Sequence, residues 1–290
     1  MKSEFLTRLS AVVVAGLLVC LAAATDVRAQ DASEPDPYPV PLFWKVGKPE
    51  PAPDLSKFQT VRVITAEDYP PFHFRDAAGE LAGFDVEIMR GICTTLRLTC
   101  EFSTGPFGNL LQALEEGLVD VAIASIARSA TNLERVDVSR PYFRSAAVFA
   151  VRLQNPIGEA RPRALAGRRL GVLKGTGHEQ FLRTWFTRSS IRPYDNLRQA
   201  TEALRVGNVD ALFADSVPLM YWTAGATSRA CCRLAKGAYW ESYYFGNGAG
   251  IAVKRGNGDL MEAISYGLDR IRESGLYERV FRKYFPLPVE

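Results

Sequence analysis

Ala113-Leu114-Glu115-Glu116-Gly117-Leu118-Val119-Asp120-Val121-Ala122-Ile123-Ala124-Ser125 returns ninety residues later as Ala203-Leu204-Arg205-Val206-Gly207-Asn208-Val209-Asp210-Ala211-Leu212-Phe213-Ala214-Asp215. Six of the thirteen positions are identical: the Ala-Leu pair, the glycine, Val119/Val209, Asp120/Asp210 and Ala124/Ala214. Each copy reads as a helix end, a glycine where the chain needs positive φ, and then a short apolar strand. The strands end on different polar residues, Ser125 and Asp215. Ligands of open α/β sheets bind beyond the carboxyl ends of the strands. The pair therefore predicts two lobes facing one cleft, with Ser125 and Asp215 on opposite walls. The competing reading is two unrelated helix–strand turns that share common residues, and the matching polar endpoints favour the two-lobe one.

Outward from this repeat, the amino-terminal end reads as an export signal. Lys2 and Arg8 precede an apolar run from Ala11 to Ala24, and Val27-Arg28-Ala29 fits a cleavage site, so residues 1–29 are expected to be removed. The apolar run is too short to span a membrane comfortably. Removal takes away three basic and two acidic residues and changes the net charge from +3 to +2, which gives no reason to expect nucleic acid as a partner. Residues 30–58 carry seven prolines and read as an extended linker. Within it, Val40-Pro41-Leu42-Phe43-Trp44 is too apolar for a solvated tether; it either lies along its own globular body or serves as a handle for a partner. Four cysteines remain, an even count in an oxidising compartment. Cys93, late in a helix, and Cys100, opening the next strand, suit a local disulfide. Cys231-Cys232 is either an adjacent-residue ring or reduced.

The globular part alternates strands with helices, which predicts parallel, doubly wound α/β sheets. Val61–Thr65 is the first strand. A helix from Gly83-Phe84-Asp85 places Phe84, Ile88, Ile92 and Leu96 on one buried stripe. Tyr142–Val151 reads as a strand pair, and Gly250–Val253 as a strand returning to the first lobe. Asp259 with Glu262 resembles a capping box.

Together these segments resemble the extracellular solute-binding proteins of family 3, receptors that deliver polar amino acids to ABC transporters. The matching pieces are Tyr69-Pro70-Pro71-Phe72, Gly83-Phe84-Asp85-Val86-Glu87, Val119-Asp120, Val136-Asp137-Val138-Ser139-Arg140-Pro141-Tyr142, Leu173-Lys174-Gly175-Thr176-Gly177 and Val209–Asp215. They occur in family order across residues 59–285. The resemblance implies a bilobal periplasmic-binding-protein fold of type II, two doubly wound α/β lobes joined by two hinge crossovers near Val148–Arg152 and Phe245–Ile251. Lobe 1 would comprise 59–148 and 251–290, and lobe 2 149–250. Tyr69 and Phe107 would sandwich the ligand side chain, Ser125 would touch it, and Thr176 with Gly177 would face its carboxylate at a helix N-terminus. Asp215 would pair with its ammonium group.

One departure weakens the amino-acid assignment. Where such receptors carry an arginine that clamps the α-carboxylate, this chain has Asn132, which cannot supply the charge. Arg128, one helical turn earlier, either turns inward to replace it or is a solvated loop residue; both readings stay open. Two other functions were weighed. An enzyme is not expected: His73 and His178 are the chain's two histidines, and no hydrolase elbow, zinc motif or phosphate loop occurs. His73 lies in an apolar run and reads as structural, whereas His178, at a helix start, could touch ligand. The alternative is an accessory protein of a quinoprotein methanol dehydrogenase that has lost amino-acid binding, suggested by Asn132, by Phe143-Arg144-Ser145 and by the apolar linker. The expected partners are thus a small polar solute and an ABC transporter permease, with a periplasmic dehydrogenase as the alternative partner. A monomer without cofactor or metal is expected.

Overall fold

A computed structural model describes residues 40–45, 51–58, 60–155 and 157–285. The expected signal peptide, and the linker outside 40–45 and 51–58, lie outside the described residues.

The repeated residues make the same backbone clasp twice. Gly117 and Gly207 take positive φ, 72° and 85°, after helices Leu110–Glu115 and Leu197–Arg205. Their amides, and those of Leu118 and Asn208, donate to the last helix carbonyls and close both ends alike. Asp120 then accepts from the backbone N–H, Nε and Nη2 of Arg62, and Asp210 from the same three groups of Arg169. Each guanidinium reaches back to the glycine carbonyl, Gly117 or Gly207. Such partly exposed ion pairs contribute little net stability; here they fix which strand the echo strand lies beside.

The strands accordingly take equivalent places in two five-stranded sheets. The first runs Thr99–Thr104, Thr60–Thr65, Val121–Ala127, Ala249–Lys254, Val136–Val138; the second runs Ser190–Tyr194, Arg169–Leu173, Ala211–Asp215, Ala147–Arg152, Cys232–Tyr239. The first three strands of each are parallel, as the sequence predicts. The remaining contacts are antiparallel, which corrects the all-parallel expectation. The reason is the crossing itself: a strand arriving from the other lobe enters from the cleft side and runs back against its neighbours.

The chain leaves the first sheet after Val138 and returns to it at Ala249. Ala147 and Val148, expected with the first lobe, pair in the second sheet, and Ala249 and Gly250, expected with the second, pair in the first. Instead of a strand pair at Tyr142–Val151, one strand, Ala147–Arg152, follows a single bridge from Phe143 to Ala249.

Helix Phe84–Leu96 buries its expected stripe completely. Its first two amides donate to the Pro71 and Phe72 carbonyls, so the Tyr69–Phe72 turn caps the helix that follows it in the family pattern. Helix Gly258–Glu273 begins two residues before the expected capping box: Asn257, not Asp259, caps it by accepting from the Leu260 amide. Val40–Trp44 packs on its own body. Trp44 is buried, and the Phe43 ring lies 5.3 Å from that of Phe143, tilted by 48°.

Cys93–Cys100 is a disulfide that ties helix Phe84–Leu96 to strand Thr99–Thr104, and Cys231–Cys232 is a second one between adjacent residues. Replacing Cys93 and Cys100 together by serine is expected to cost roughly 2–3 kcal/mol by releasing a short loop in the unfolded chain. Denaturant titration of oxidised parent and variant checks this; equal midpoints would contradict it.

Candidate functional site

Between the carboxyl ends of the two sheets lies a cavity of about 130 Å³. Tyr69, Phe107, Ser125, Asn132, Thr176, Gly177 and Asp215 line it, and Arg128 does not.

Asp215 closes strand Ala211–Asp215 and stands at the N-cap of helix Ser216–Ala224, yet its side chain makes no capping bond. Its carboxylate faces the cleft instead. Tyr69 Oη donates to Oδ2 at 2.8 Å, and Ser145 Oγ donates to Oδ1 at 3.1 Å. Burial, reinforced by the Asp215 charge, pushes the Tyr69 phenol well above its ordinary value of 10, so it remains a donor. The Tyr69 contact bridges the lobes, whereas Ser145 lies in the crossover that leads into strand Ala147–Arg152. The Tyr69 ring packs on His73 at 5.4 Å and Phe72 at 6.2 Å, leaving the cavity between it and Phe107.

Behind that wall Asp85 is fully buried and saturated. It accepts from Tyr142 Oη at 2.8 Å and Ser125 Oγ at 2.9 Å, with His73 Nδ1 at 3.0 Å. Ser125 reaches it from a left-handed backbone, φ 51°, beside a register shift between strands Val121–Ala127 and Ala249–Lys254. An L side chain held there is a mark of a constrained site. His73 is structural, as the sequence suggests.

The helix N-terminus at Thr176 is capped from within. Thr176 Oγ1 donates to the Leu173 carbonyl and accepts from the Glu179 amide, while Glu179 Oε2 accepts from the Gly175 amide at 2.8 Å. This is a capping box whose acid returns to the turn ahead of the helix. A Cβ at Gly177 would lie 2.0 Å from the Tyr244 carbonyl, so only glycine fits against the short helix Ser242–Phe245. Asn132 Nδ2 donates to the Ala127 carbonyl at 2.8 Å. Arg128 is exposed, and its Nε meets the Val138 carbonyl at 3.3 Å, so it does not replace the missing clamp.

The lining residues outside the sequence-predicted set include Asp68, Arg135, Ser145 and, named in the sequence only as a possible contact, His178. Asp68 adjoins the Tyr-Pro-Pro-Phe turn, which was its available signal. Burial raises its carboxyl above the ordinary value of 3.8, against the opposing pull of His73, the Leu197 amide and Arg198. Arg135 is paired with Glu115 at 2.7 Å.

The His178 side chain is 13% exposed, its Nε2 lacks a hydrogen-bond partner among the described residues, and Asp215 Oδ1 lies 3.7 Å away. Burial holds its imidazole below the ordinary 6.5, with the Asp215 charge pulling the other way. Between that lowered value and 6.5 the folded protein binds fewer protons than the unfolded chain. The resulting stability is present above pH 6.5 and is lost as pH falls through that window. The melting temperature is therefore expected to fall from pH 7.5 to 5 more steeply in the parent than in His178→Gln; parallel slopes would contradict this.

Comparison with known proteins agrees with the geometry. The family model of bacterial extracellular solute-binding proteins, family 3, matches residues 61–287. The L-arginine-binding protein of Pseudomonas aeruginosa is 28% identical over 240 residues, covering 82% of this chain and 92% of that protein. The arginine-binding periplasmic protein of Mannheimia haemolytica is 28% identical over 222 residues, covering 77% and 90%. The solved structure of an ancestral arginine-binding protein bound to glutamine superposes with a TM-score of 0.73 at 29% identity, covering 79% of this chain and 99% of that one. The chain belongs to the bacterial extracellular solute-binding proteins, family 3.

Proposed function

We propose that the mature protein is a periplasmic receptor that captures a small, polar, amino-group-bearing solute by closing its lobes and delivers it to an ABC transporter permease. The observation that carries this reading is the Asp215 carboxylate, turned into the cavity by its strand end rather than spent on the helix it precedes. A carboxylate held by two neutral donors favours an ammonium or guanidinium partner. Tyr69 and Phe107 flank the space for the solute's aliphatic part, and Ser125, Asn132, Thr176 and Gly177 complete the wall. Curated relatives named for binding arginine support an amino-acid-like solute. In this reading residues 1–29 direct export, residues 147–245 form the closing lobe, and the receptor acts as a monomer without catalysing a reaction.

The accessory-protein alternative loses two of its three motivating features to the fold. Phe143 is core, Ser145 binds Asp215, Arg144 stacks over Trp240 at 4.9 Å, and Trp44 is buried. A thermal-shift screen of amino acids, amines and small carboxylates tests the receptor reading. A cognate solute at a hundred times its Kd adds about 2.7 kcal/mol of stability. Stabilisation only by carboxylates lacking an amine would overturn it.

A further inference from the structure

Three groups are placed where a solute's α-carboxylate could be held, and each is engaged elsewhere. Arg128 donates to the Val138 carbonyl and is off the cavity. Arg135 forms a two-pronged bond with Glu115, 2.8 Å through Nε and 2.7 Å through Nη2. At the helix beginning with Gly177, the Glu179 side chain already occupies the Gly175 amide and also pairs with Arg183 at 2.6 Å. A second carboxylate brought to that turn would find the Gly175 amide already taken.

The acids on the same cavity are differently placed. Asp215 faces it with neutral donors. Asp68, on the opposite lobe, has an Oδ2 that is buried without a hydrogen-bond partner among the described residues, and it lines the cavity. A buried carboxylate oxygen without a donor is costly, and a cationic N–H relieves that cost. The nearby cation, Arg198, is itself exposed to solvent.

We infer that the solute is a cation without an α-carboxylate, an alkyl diamine or alkylguanidine held at one end by Asp215 and at the other by Asp68, with its methylene chain between Tyr69 and Phe107. This rests on reading the cleft as a receptor for an amino-bearing solute and narrows the solute's class. The distinction from an amino acid lies at one end of the molecule: the amide and the guanidinium that could take its carboxylate are already held by Glu179 and Glu115.

Calorimetric titration of ligand-stripped mature protein with two matched pairs tests it: agmatine against L-arginine, and cadaverine against L-lysine. The expected result is that the amine of at least one pair binds tenfold or more tightly than its amino acid. Asp68→Asn, checked as folded by its melting curve, should weaken that amine at least tenfold. Glu179→Gln should narrow the preference by admitting the amino acid. If L-arginine or L-lysine binds as tightly as its amine, the inference is overturned and the receptor reading stands. If none of the four binds, the inference is also overturned, and stabilisation by plain carboxylates alone would remove the receptor reading with it.

Discussion

Asp215→Asn is expected to lower affinity for the solute by at least a hundredfold. Asparagine has nearly the shape of aspartate, so Tyr69 and Ser145 stay in place, but one of their two acceptor oxygens becomes an NH2 that faces a hydroxyl. The greater loss is charge. Removing one partner of a buried ion pair costs roughly 3–5 kcal/mol because the other is left uncompensated, which corresponds to about 10²–10³ in Kd. The folded state should tolerate the change, since no buried cation other than the solute depends on Asp215. Arg128→Ala is the control: its guanidinium lies off the cavity, and affinity should stay within about twofold. The reverse pattern, with Asp215→Asn binding like the parent and Arg128→Ala failing, would mean that the solute is a plain anion.

The second large effect is on stability, from a residue within the segment that its prolines mark as a linker. Trp44 is 6% exposed. Its Nε1 donates to Asp269 Oδ1 at 3.1 Å, its ring meets the edge of Tyr277 at 5.0 Å, and the Arg272 guanidinium lies over it at 5.6 Å. Its carbonyl accepts from Arg272 Nη1 at 2.6 Å. Trp44→Ala is expected to cost about 3–4 kcal/mol through the lost burial and the cavity left behind, which lowers the melting temperature by on the order of 10 °C for a domain of this size. Solute affinity should be unchanged, because Trp44 is not on the cavity wall. Deleting residues 31–53 removes this anchor and should destabilise at least as much. A melting temperature within a degree of the parent would return the segment to a linker.

What the sequence revealed was local chemistry. The Gly-x-Val-Asp echo was legible because a positive-φ glycine and an aspartate clasping an arginine need particular side chains at fixed spacing, and both copies keep them. The helix stripe and the Cys93–Cys100 bridge were legible for similar reasons. Strand direction was not: Ala147–Arg152 and Ala249–Lys254 are apolar runs like their parallel neighbours, and topology alone turns them antiparallel. The apolar run at Trp44 was legible as more than a tether, but its partners Asp269 and Arg272 were not, because they lie more than two hundred residues away. Asp68, Ser145 and the fate of Arg128 were hidden too, since each depends on which way one side chain turns in a loop whose path the other lobe sets.

The most direct measurement is the mass of whatever leaves the protein when it is isolated from the periplasm under native conditions and then unfolded. The account predicts a small cation, present near one equivalent in the parent and lost in Asp215→Asn. An anionic solute without an amine or guanidine, or the same molecule retained equally by Asp215→Asn, would contradict it.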